Sequence, residues 1–263
     1  MFTDRTRGGF PTKCTVNLDD VEVTDNYQVW YKGSPPLGIK TIGQGAYGMV
    51  FELSYFTDSA KLSVKKQGVS EDVLENLRVA ESLRDCALVD FKTWNVEDLD
   101  EIYTVMELME SDCSKMLYNR RRETSNDYAA FLRRLRDCLF HENASFTDMK
   151  LDNTAVKRCL GSDKFRLLDL DGINAHISTL PAVPRFATWC NTPEEKRIQT
   201  TYAFAVTAML YEKRTPTVWP FYFNNLAPLP ERVGTLESHM AMTPTPEVAN
   251  LIRDALEAVR GLY

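Results

Sequence analysis

Residues that could carry out chemistry lie in three separate stretches of the chain. Residues 146–153 contain Asp148, Lys150 and Asn153 in the pattern D-x-K-x-x-N. Residues 42–50 read I-G-Q-G-A-Y-G-M-V, and glycine allows a backbone to approach phosphate closely. Residues 169–172 read D-L-D-G, where a carboxylate could serve Mg²⁺, a cation that takes one or two carboxylates together with substrate phosphates. The three stretches indicate chemistry on a phosphate group.

The glycine-rich stretch is compatible with two structures. In a dinucleotide-binding fold it would open a helix, with an acidic residue about 20 positions later. Here it continues into M-V-F-E-L at residues 49–53, which is typical of a strand. The sequence therefore favours a glycine-rich hairpin over nucleotide phosphates, and a turn without a ligand is the alternative.

A lysine follows on the next predicted strand. Lys65 ends the segment L-S-V-K, and its neighbour Lys66 is expected to point to the opposite face because side chains alternate along a strand. Taken alone, Lys65 could equally be a solvated charge.

These segments, in this order, resemble the motifs of protein kinases over residues 37–212. Their joint order and spacing are more specific than any single motif. The resemblance implies that Asp148 orients the acceptor hydroxyl and accepts its proton, while Lys150 stabilises the transferring phosphoryl group. It also implies that Asn153 and Asp169 hold Mg²⁺, with Asp171 as the alternative ligand in a shifted register.

The resemblance also implies an ATP site between two lobes. Lys65 would hold the α- and β-phosphates, and Glu75 would orient it, with Glu81 as the second candidate. Met106 would be the gatekeeper that precedes the hinge. The expected nucleotide-binding residues are Ile42, Gly43, Gly45, Gly48, Val50, Lys65, Glu75, Met106, Glu107 and Met109.

The sequence departs from the kinase pattern at two supporting positions. Thr147 stands where many kinases have an arginine that pairs with a phosphate on the activation segment. Activity is therefore expected without such a phosphate, although Arg166 or Arg185 could supply a substitute charge. Residues 199–202 read Q-T-T-Y and lack the carboxylate that ties down the catalytic loop in the family, so this loop must be supported differently.

The expected fold class is α+β, a two-lobed protein-kinase-like fold with a small antiparallel-sheet N-lobe and a mainly helical, trimmed C-lobe. The expected domains are an N-terminal extension at 1–36, the N-lobe and hinge at 37–109 and the C-lobe at 110–263. The extension is predicted to form a short strand or hairpin packed on the next lobe, or a mobile segment. Capping residues and periodicity predict strands at 87–91 and 102–106, and helices at 70–84, 127–141, 202–211 and from Thr245.

Composition limits the classes of binding partner that can be expected for this chain. The net charge of −6 disfavours nucleic acid. No apolar run reaches the roughly 18 residues that span a bilayer, so no membrane partner is expected and a cytoplasmic location is predicted. The six cysteines lack C-x-x-C pairs, which favours reduced thiols over disulfides or a zinc site. The arginines at 133, 134 and 136 are interpreted as a solvated helix face, with a docking site for an acidic partner as the alternative.

The sequence thus predicts an enzyme, a serine/threonine kinase that uses ATP and Mg²⁺ to phosphorylate a protein substrate. Lys150 favours protein acceptors, because the related loops of small-molecule phosphotransferases lack that lysine. A pseudokinase that binds or scaffolds, and a kinase of small molecules, are the alternatives. The oligomeric state is left open.

Overall fold

The computed structural model describes residues 16–45, 48–118, 125–159, 162–175, 185–186, 190, 192–214 and 227–260. The protein is α+β, and its long strand pairings are antiparallel. Its contacts divide it into unit 1, with Met1–Gly68, Phe91–Leu108 and Arg158–Lys164, and unit 2, with Val69–Asp90, Met109–Lys157 and Phe165–Tyr263. The predicted domain boundaries stay predictions, because compactness does not show independent folding.

Unit 1 is built on a five-stranded sheet with the order β3-β4-β5-β7-β6. The strands are β3 (Gly38–Gly45), β4 (Gly48–Ser54), β5 (Lys61–Gly68), β6 (Phe91–Val96) and β7 (Glu101–Glu107). One face of this sheet places Leu62, Val64 and Val105 in an apolar core. Because β-branched and other bulky apolar side chains pack well on a pleated surface, these strands form around that core.

A short hairpin of β1 (Val21–Val23) and β2 (Val29–Tyr31) packs into the same core through Val21, Val29 and Tyr31. The Tyr55 hydroxyl donates to the Val29 carbonyl at 2.8 Å. The predicted hairpin is therefore confirmed, and the mobile-segment alternative is wrong for residues 16–36. Residues 1–15 lie outside the described ranges.

Unit 2 is mainly helical. Its helices are α1 (Glu71–Ser82), α2 (Cys113–Tyr118), α3 (Ser125–His141), α4 (Pro193–Lys213), α5 (Leu229–Met242) and α6 (Pro246–Arg260). A small sheet has the order β10-β9-β8, with β8 (Ser111–Asp112), β9 (Thr154–Cys159) and β10 (Ser162–Leu167). Every residue from Ile198 to Tyr211 in α4 is buried, which confirms the predicted helix that is buried all round. Within the described ranges, none of the helices is both long and apolar enough to cross a bilayer.

The helix starts follow their capping residues. Ser70 accepts a hydrogen bond from the Val73 amide and caps α1, as predicted. Thr192 and Glu195 form a reciprocal capping box at the start of α4. Helix α6 begins at Pro246, which confirms the predicted proline at the first helical position.

Two local predictions are wrong. The predicted strand at 87–91 is absent, because Ala87 has a φ of +59° and the strand β6 begins only at Phe91. Arg136 does not belong to a solvated face: it is buried, and its Nη1 lies 2.7 Å from Asp254 of α6. Arg133 is paired with Glu247 at 3.3 Å. The predicted solvated face therefore lies in part against α6.

Two cysteines of unit 2 form a disulfide. Cys86, just beyond α1, is bonded to Cys138 in α3, and the two are 52 residues apart in sequence. Cys113 and Cys190 are buried and are not disulfide-bonded. The prediction of reduced thiols is wrong for the bonded pair. Since cytosolic reductants normally keep thiols reduced, the cytoplasmic location stays a prediction that this bond disfavours.

Candidate active site

The strand register of unit 1 brings several predicted nucleotide-binding residues to one face of the sheet. Gly43 is opposite Val50, and Val50 is opposite Lys65 on the next strand. Ser63, two residues before Lys65, is opposite Met106. Because directly opposed residues share a face and the period along a strand is two, these side chains lie on the same side.

Lys66 lies on the other side. Its Nζ is 4.0 Å from the centroid of the Tyr103 ring and donates to the Tyr103 hydroxyl at 2.7 Å. Tyr103 is part of the apolar core of unit 1. The prediction that Lys65 and Lys66 point to opposite faces is confirmed.

The glycine-rich stretch forms the β3–β4 hairpin, paired as far as Gly45 and Gly48. The predicted hairpin is confirmed, and a helix that starts here, as a dinucleotide site requires, is excluded. Gly48 has a φ of +149°, and a Cβ atom there would lie 2.2 Å from the Lys66 carbonyl oxygen, so only glycine fits. Ile42 is 39% exposed. Residues 46–47, at the tip, lie outside the described ranges.

The predicted hinge begins at the end of β7. Met106 and Glu107 are buried, and the Ser63 hydroxyl donates to the Met106 carbonyl at 3.5 Å. The chain passes from unit 1 to unit 2 between Leu108 and Met109. The predicted contact of Glu107 and Met109 with adenine stays a prediction.

In unit 2, the structure brings the three predicted residues of the catalytic loop together. Lys150 Nζ donates to Asp148 Oδ2 at 3.0 Å. Asn153 Nδ2 donates to the Asp148 carbonyl at 2.8 Å and to Oδ2 at 3.1 Å. The other carboxylate oxygen, Asp148 Oδ1, is buried and has no hydrogen-bond partner among the described residues. One carboxylate oxygen is thus fixed by two donors, and the second is a buried acceptor whose hydrogen-bonding capacity is unused among the described residues.

Burial raises the pKa of Asp148, while the charge and hydrogen bond of Lys150 act in the opposite direction. The carboxylate of Asp169 raises this pKa further, and the hydrogen bond from Asn153 lowers it. Asp148 and Asp169 are therefore close enough to repel each other. A cation bound next to them would relieve that repulsion.

Asp169 follows β10 and is positioned by main-chain contacts. The Leu168 amide donates to the Asn153 carbonyl at 2.9 Å, which ties Asn153 to the residue that immediately precedes Asp169. A Cβ atom on Gly172 would lie 2.8 Å from Phe146 Cε2 and 3.3 Å from Asp169 Oδ2. A side chain at 172 would therefore collide with the ring that packs beside this carboxylate.

These residues fit Mg²⁺. Asn153 turns its amide nitrogen to Asp148, so its oxygen faces away from that residue, and Asp169 adds a carboxylate. One amide oxygen and one carboxylate suit Mg²⁺, which completes its shell with water and substrate phosphates. Among the described residues, no group of three His, Cys, Asp or Glu side chains could form a cage made of protein alone.

Helix α4 supports the catalytic loop with neutral side chains. Thr200 Oγ1 accepts from the Phe146 amide at 3.1 Å. Gln199 Nε2 donates to the Thr147 carbonyl, and Thr207 Oγ1 donates to the Met149 carbonyl, both at 3.3 Å. Residues 199–202 lack a carboxylate, and these neutral contacts hold residues 146–149 instead. Their signal in the sequence is the polar pair Gln199-Thr200 near the start of a helical segment that is buried on all sides.

Helix α1 contacts the Asp169 loop through an asparagine. Asn76 Nδ2 donates to the Asp171 carbonyl at 2.9 Å, a residue that the motif comparison did not single out. Glu75 is exposed and lies 3.4 Å from Arg78. Glu81 is also exposed. The choice between Glu75 and Glu81 as the partner of Lys65 stays a prediction.

Comparison with known proteins does not assign a family. No model of a known protein family matches the chain, and no curated protein matches it in sequence. The function must therefore be inferred from the residues and their arrangement.

Proposed function

We propose that this chain is a serine/threonine protein kinase with a two-lobed kinase fold, in which the β3–β7 sheet belongs to the N-lobe and helices α3–α6 to the C-lobe. The observation that carries the proposal is the set of contacts around Asp148. Lys150 and Asn153 both bind its Oδ2, and the amide of Leu168, the residue before Asp169, donates to the Asn153 carbonyl. This is the residue set that phosphoryl transfer to a hydroxyl requires.

Asp148 acts as the base through Oδ1. The acceptor hydroxyl donates its hydrogen bond to this oxygen, which has no other partner among the described residues. The hydroxyl oxygen forms the new bond to the γ-phosphorus of ATP while the bond from that phosphorus to the ADP oxygen breaks. The hydroxyl proton passes to Asp148. The bonds from Lys150 and Asn153 to Oδ2 hold the carboxylate in the required orientation.

Lys150 has a second task. Its ammonium group, held 3.0 Å from Asp148, stabilises the negative charge on the phosphoryl group that is transferred. Asn153 and Asp169 would hold Mg²⁺, which neutralises phosphate charge when bound. Lys65, on the same face as Gly43 and Val50, would bind the α- and β-phosphates. A protein substrate with serine or threonine acceptors is part of this proposal.

Matched substitutions of three aspartates test the proposed roles. Asp148→Asn should lower transfer by about 10²-fold or more while ATP affinity stays near normal, because only the base is lost. Asp169→Asn should abolish transfer and also weaken binding of Mg²⁺ with ATP. Asp152→Asn, at an exposed site in the same loop, is the control and should keep the wild-type rate. Lost ATP affinity with normal turnover in Asp148→Asn would show that the roles are misassigned.

A second measurement separates the kinase from its rivals. ATP with Mg²⁺ should raise the melting temperature of the wild-type protein, and labelled phosphate should appear on serine or threonine of peptide acceptors. Stabilisation by ATP without any transfer would indicate a pseudokinase. Transfer to sugars or aminoglycosides, with none to peptides, would indicate a small-molecule kinase.

A further inference from the structure

The segment Arg185-Phe186 is bound from two sides through its main chain. Arg232 in α5 is 8% exposed, and its Nη1 donates to the Arg185 carbonyl. Its Nη2 donates to the Phe186 carbonyl at 3.0 Å. Gln199 in α4 is fully buried, and its Oε1 accepts from the Phe186 amide at 3.0 Å. Two buried side chains thus satisfy three main-chain groups of this segment.

Gln199 also connects this segment to the catalytic loop. Its Nε2 donates to the carbonyl of Thr147, the residue that precedes Asp148. One side-chain amide therefore binds both stretches of chain at once. The Arg185 side chain lies near the same site: burial lowers its pKa, and the charge of Asp148 raises it. Residues 185–186 are thus next to the proposed base.

We propose that Arg232 and Gln199 are positioning residues that hold Arg185-Phe186 against the catalytic loop, so that a protein acceptor is aligned without any phosphate on this chain. The inference rests on the proposed kinase function and adds its regulation. A phosphate normally orders such a segment by pairing with an arginine, but Thr147 offers no charge for that pairing. Here a buried guanidinium binds the segment permanently through carbonyl groups.

The chemistry of arginine suits this task. The guanidinium is planar and presents several donors in a fixed fork, so it can bind two consecutive carbonyls at once. Lysine carries a single ammonium group on a flexible stem and does not reproduce that geometry. Arg232→Lys therefore keeps the charge and removes the paired contact. Gln199→Glu keeps the acceptor for the Phe186 amide and removes the donor to Thr147.

The experiment uses the full chain, treated with phosphatase and shown by intact mass to carry no phosphate. The probes are MgATP and a library of serine- and threonine-containing peptides. The wild-type protein should show a constant initial rate without a lag. Arg232→Lys and Gln199→Glu should each lower kcat/KM for the peptides by about 10-fold, the factor that corresponds to 1.4 kcal/mol, while the Kd for MgATP changes less than twofold. Arg253→Lys, at an exposed site in α6, is the matched control and should match the wild type.

Hydrogen exchange of the Phe186 amide, which donates to Gln199, reports without catalysis whether the segment stays in place when its carbonyl contacts to Arg232 are lost. Exchange should be faster in Arg232→Lys than in the wild type and unchanged in Arg253→Lys. If exchange is faster in Arg232→Lys but the wild-type protein transfers no phosphate, the positioning role of Arg232 is supported and only the kinase proposal is overturned. A lag that ends as phosphate appears on the chain would overturn the inference, and so would unchanged exchange in Arg232→Lys. Gln199→Ala, which removes the acceptor of the Phe186 amide, provides the same readout if Arg232→Lys does not fold.

Discussion

The catalytic loop and the glycine-rich hairpin are held in place by different means. Phe146, Thr147 and Met149 each form a main-chain hydrogen bond to a buried side chain of α4. The hairpin of β3 and β4 is held by main-chain pairing, both between its own strands and from β4 to β5, and Ile42 and Met49 within it are exposed. The loop therefore depends on individual side chains elsewhere in the chain, whereas the hairpin depends on pairing of main-chain groups.

In the proposed kinase the two regions would have different tasks. A base must be held within a fraction of an ångström of its productive position, which requires several fixed contacts. A phosphate-binding hairpin needs only accessible main-chain groups and small residues. Substitutions at the supports of the loop should therefore cost more than substitutions of the exposed side chains of the hairpin.

The largest expected effect comes from the disulfide of unit 2, the unit that holds the catalytic loop. Reduction of Cys86–Cys138 should lower the free energy of unfolding by about 4 kcal/mol, because the bond closes a loop of 52 residues in the unfolded chain. Denaturant unfolding followed by far-ultraviolet circular dichroism reports this unit, which contains the helices α1–α6. Cys86→Ser should show the same loss and no further response to a reductant. An unfolding free energy of the wild-type protein that the reductant leaves unchanged would contradict the expectation.

Thr200→Val tests the support of the catalytic loop. The substitution keeps the shape and leaves the buried Phe146 amide without its acceptor, which should cost about 2 kcal/mol of stability and slow phosphoryl transfer. The control is Thr201→Val, because Thr201 Oγ1 only donates to the Arg197 carbonyl within the same helix. Both variants are measured by denaturant unfolding and by initial rate. An equal loss in the two would show that the contact with Phe146 has no special importance.

Gly48→Ala tests the hairpin. The added Cβ would meet the Lys66 carbonyl oxygen at 2.2 Å and the backbone would keep a positive φ, so the strands must shift. Because the opposing oxygen belongs to the main chain of the paired strand β5 and cannot rotate away, we expect a loss of about 1–3 kcal/mol, together with weaker ATP binding. In Gly38→Ala the new atom meets open space, and this variant is the control. Equal stability of Gly48→Ala and Gly38→Ala would show that the hairpin tolerates a side chain at position 48.

The features that could be predicted from the sequence are those that neighbouring residues determine. Ser70 and Pro246 mark helix starts through capping, and the alternation of Lys65 and Lys66 follows from strand geometry. The approach of Lys150 and Asn153 to Asp148 involves residues at most five positions apart. Such contacts are encoded by neighbouring residues and can be inferred from spacing.

The sequence did not predict contacts between distant residues. Gln199 and Thr147 are 52 positions apart, Asn76 and Asp171 are 95 apart, and Cys86 and Cys138 are 52 apart. The conformation of Ala87, with its positive φ, interrupted a segment whose apolar residues suggested a strand. These features depend on which elements pack together, and a single sequence taken alone does not reveal that.

The smallest expected effect concerns pH and the two ends of α4. The supports of the catalytic loop, Gln199, Thr200 and Thr207, are neutral and do not titrate. At the other end of the helix, Glu212 Oε2 lies 2.8 Å from His239 Nε2. Burial lowers the pKa of His239 and outweighs the effect of Glu212, so the histidine is neutral in the folded protein at pH 7.

The unfolded protein therefore binds a proton at His239 more readily than the folded protein does. The contribution of this group to stability is fully present above the unfolded pKa of about 6.5 and is lost as the pH falls below that value. Glu212 has a lowered pKa, mainly because hydrogen bonds from Thr243, Thr245 and His239 together outweigh its burial, so its loss begins only in more acidic solution. The unfolding free energy, measured by denaturant titration from pH 8 to pH 5, should fall in the wild type and fall less in His239→Gln. His141→Gln, at an exposed site, should keep the wild-type slope. A slope that His239→Gln leaves unchanged would show that the acid-sensitive group lies elsewhere than at the Glu212 end of α4.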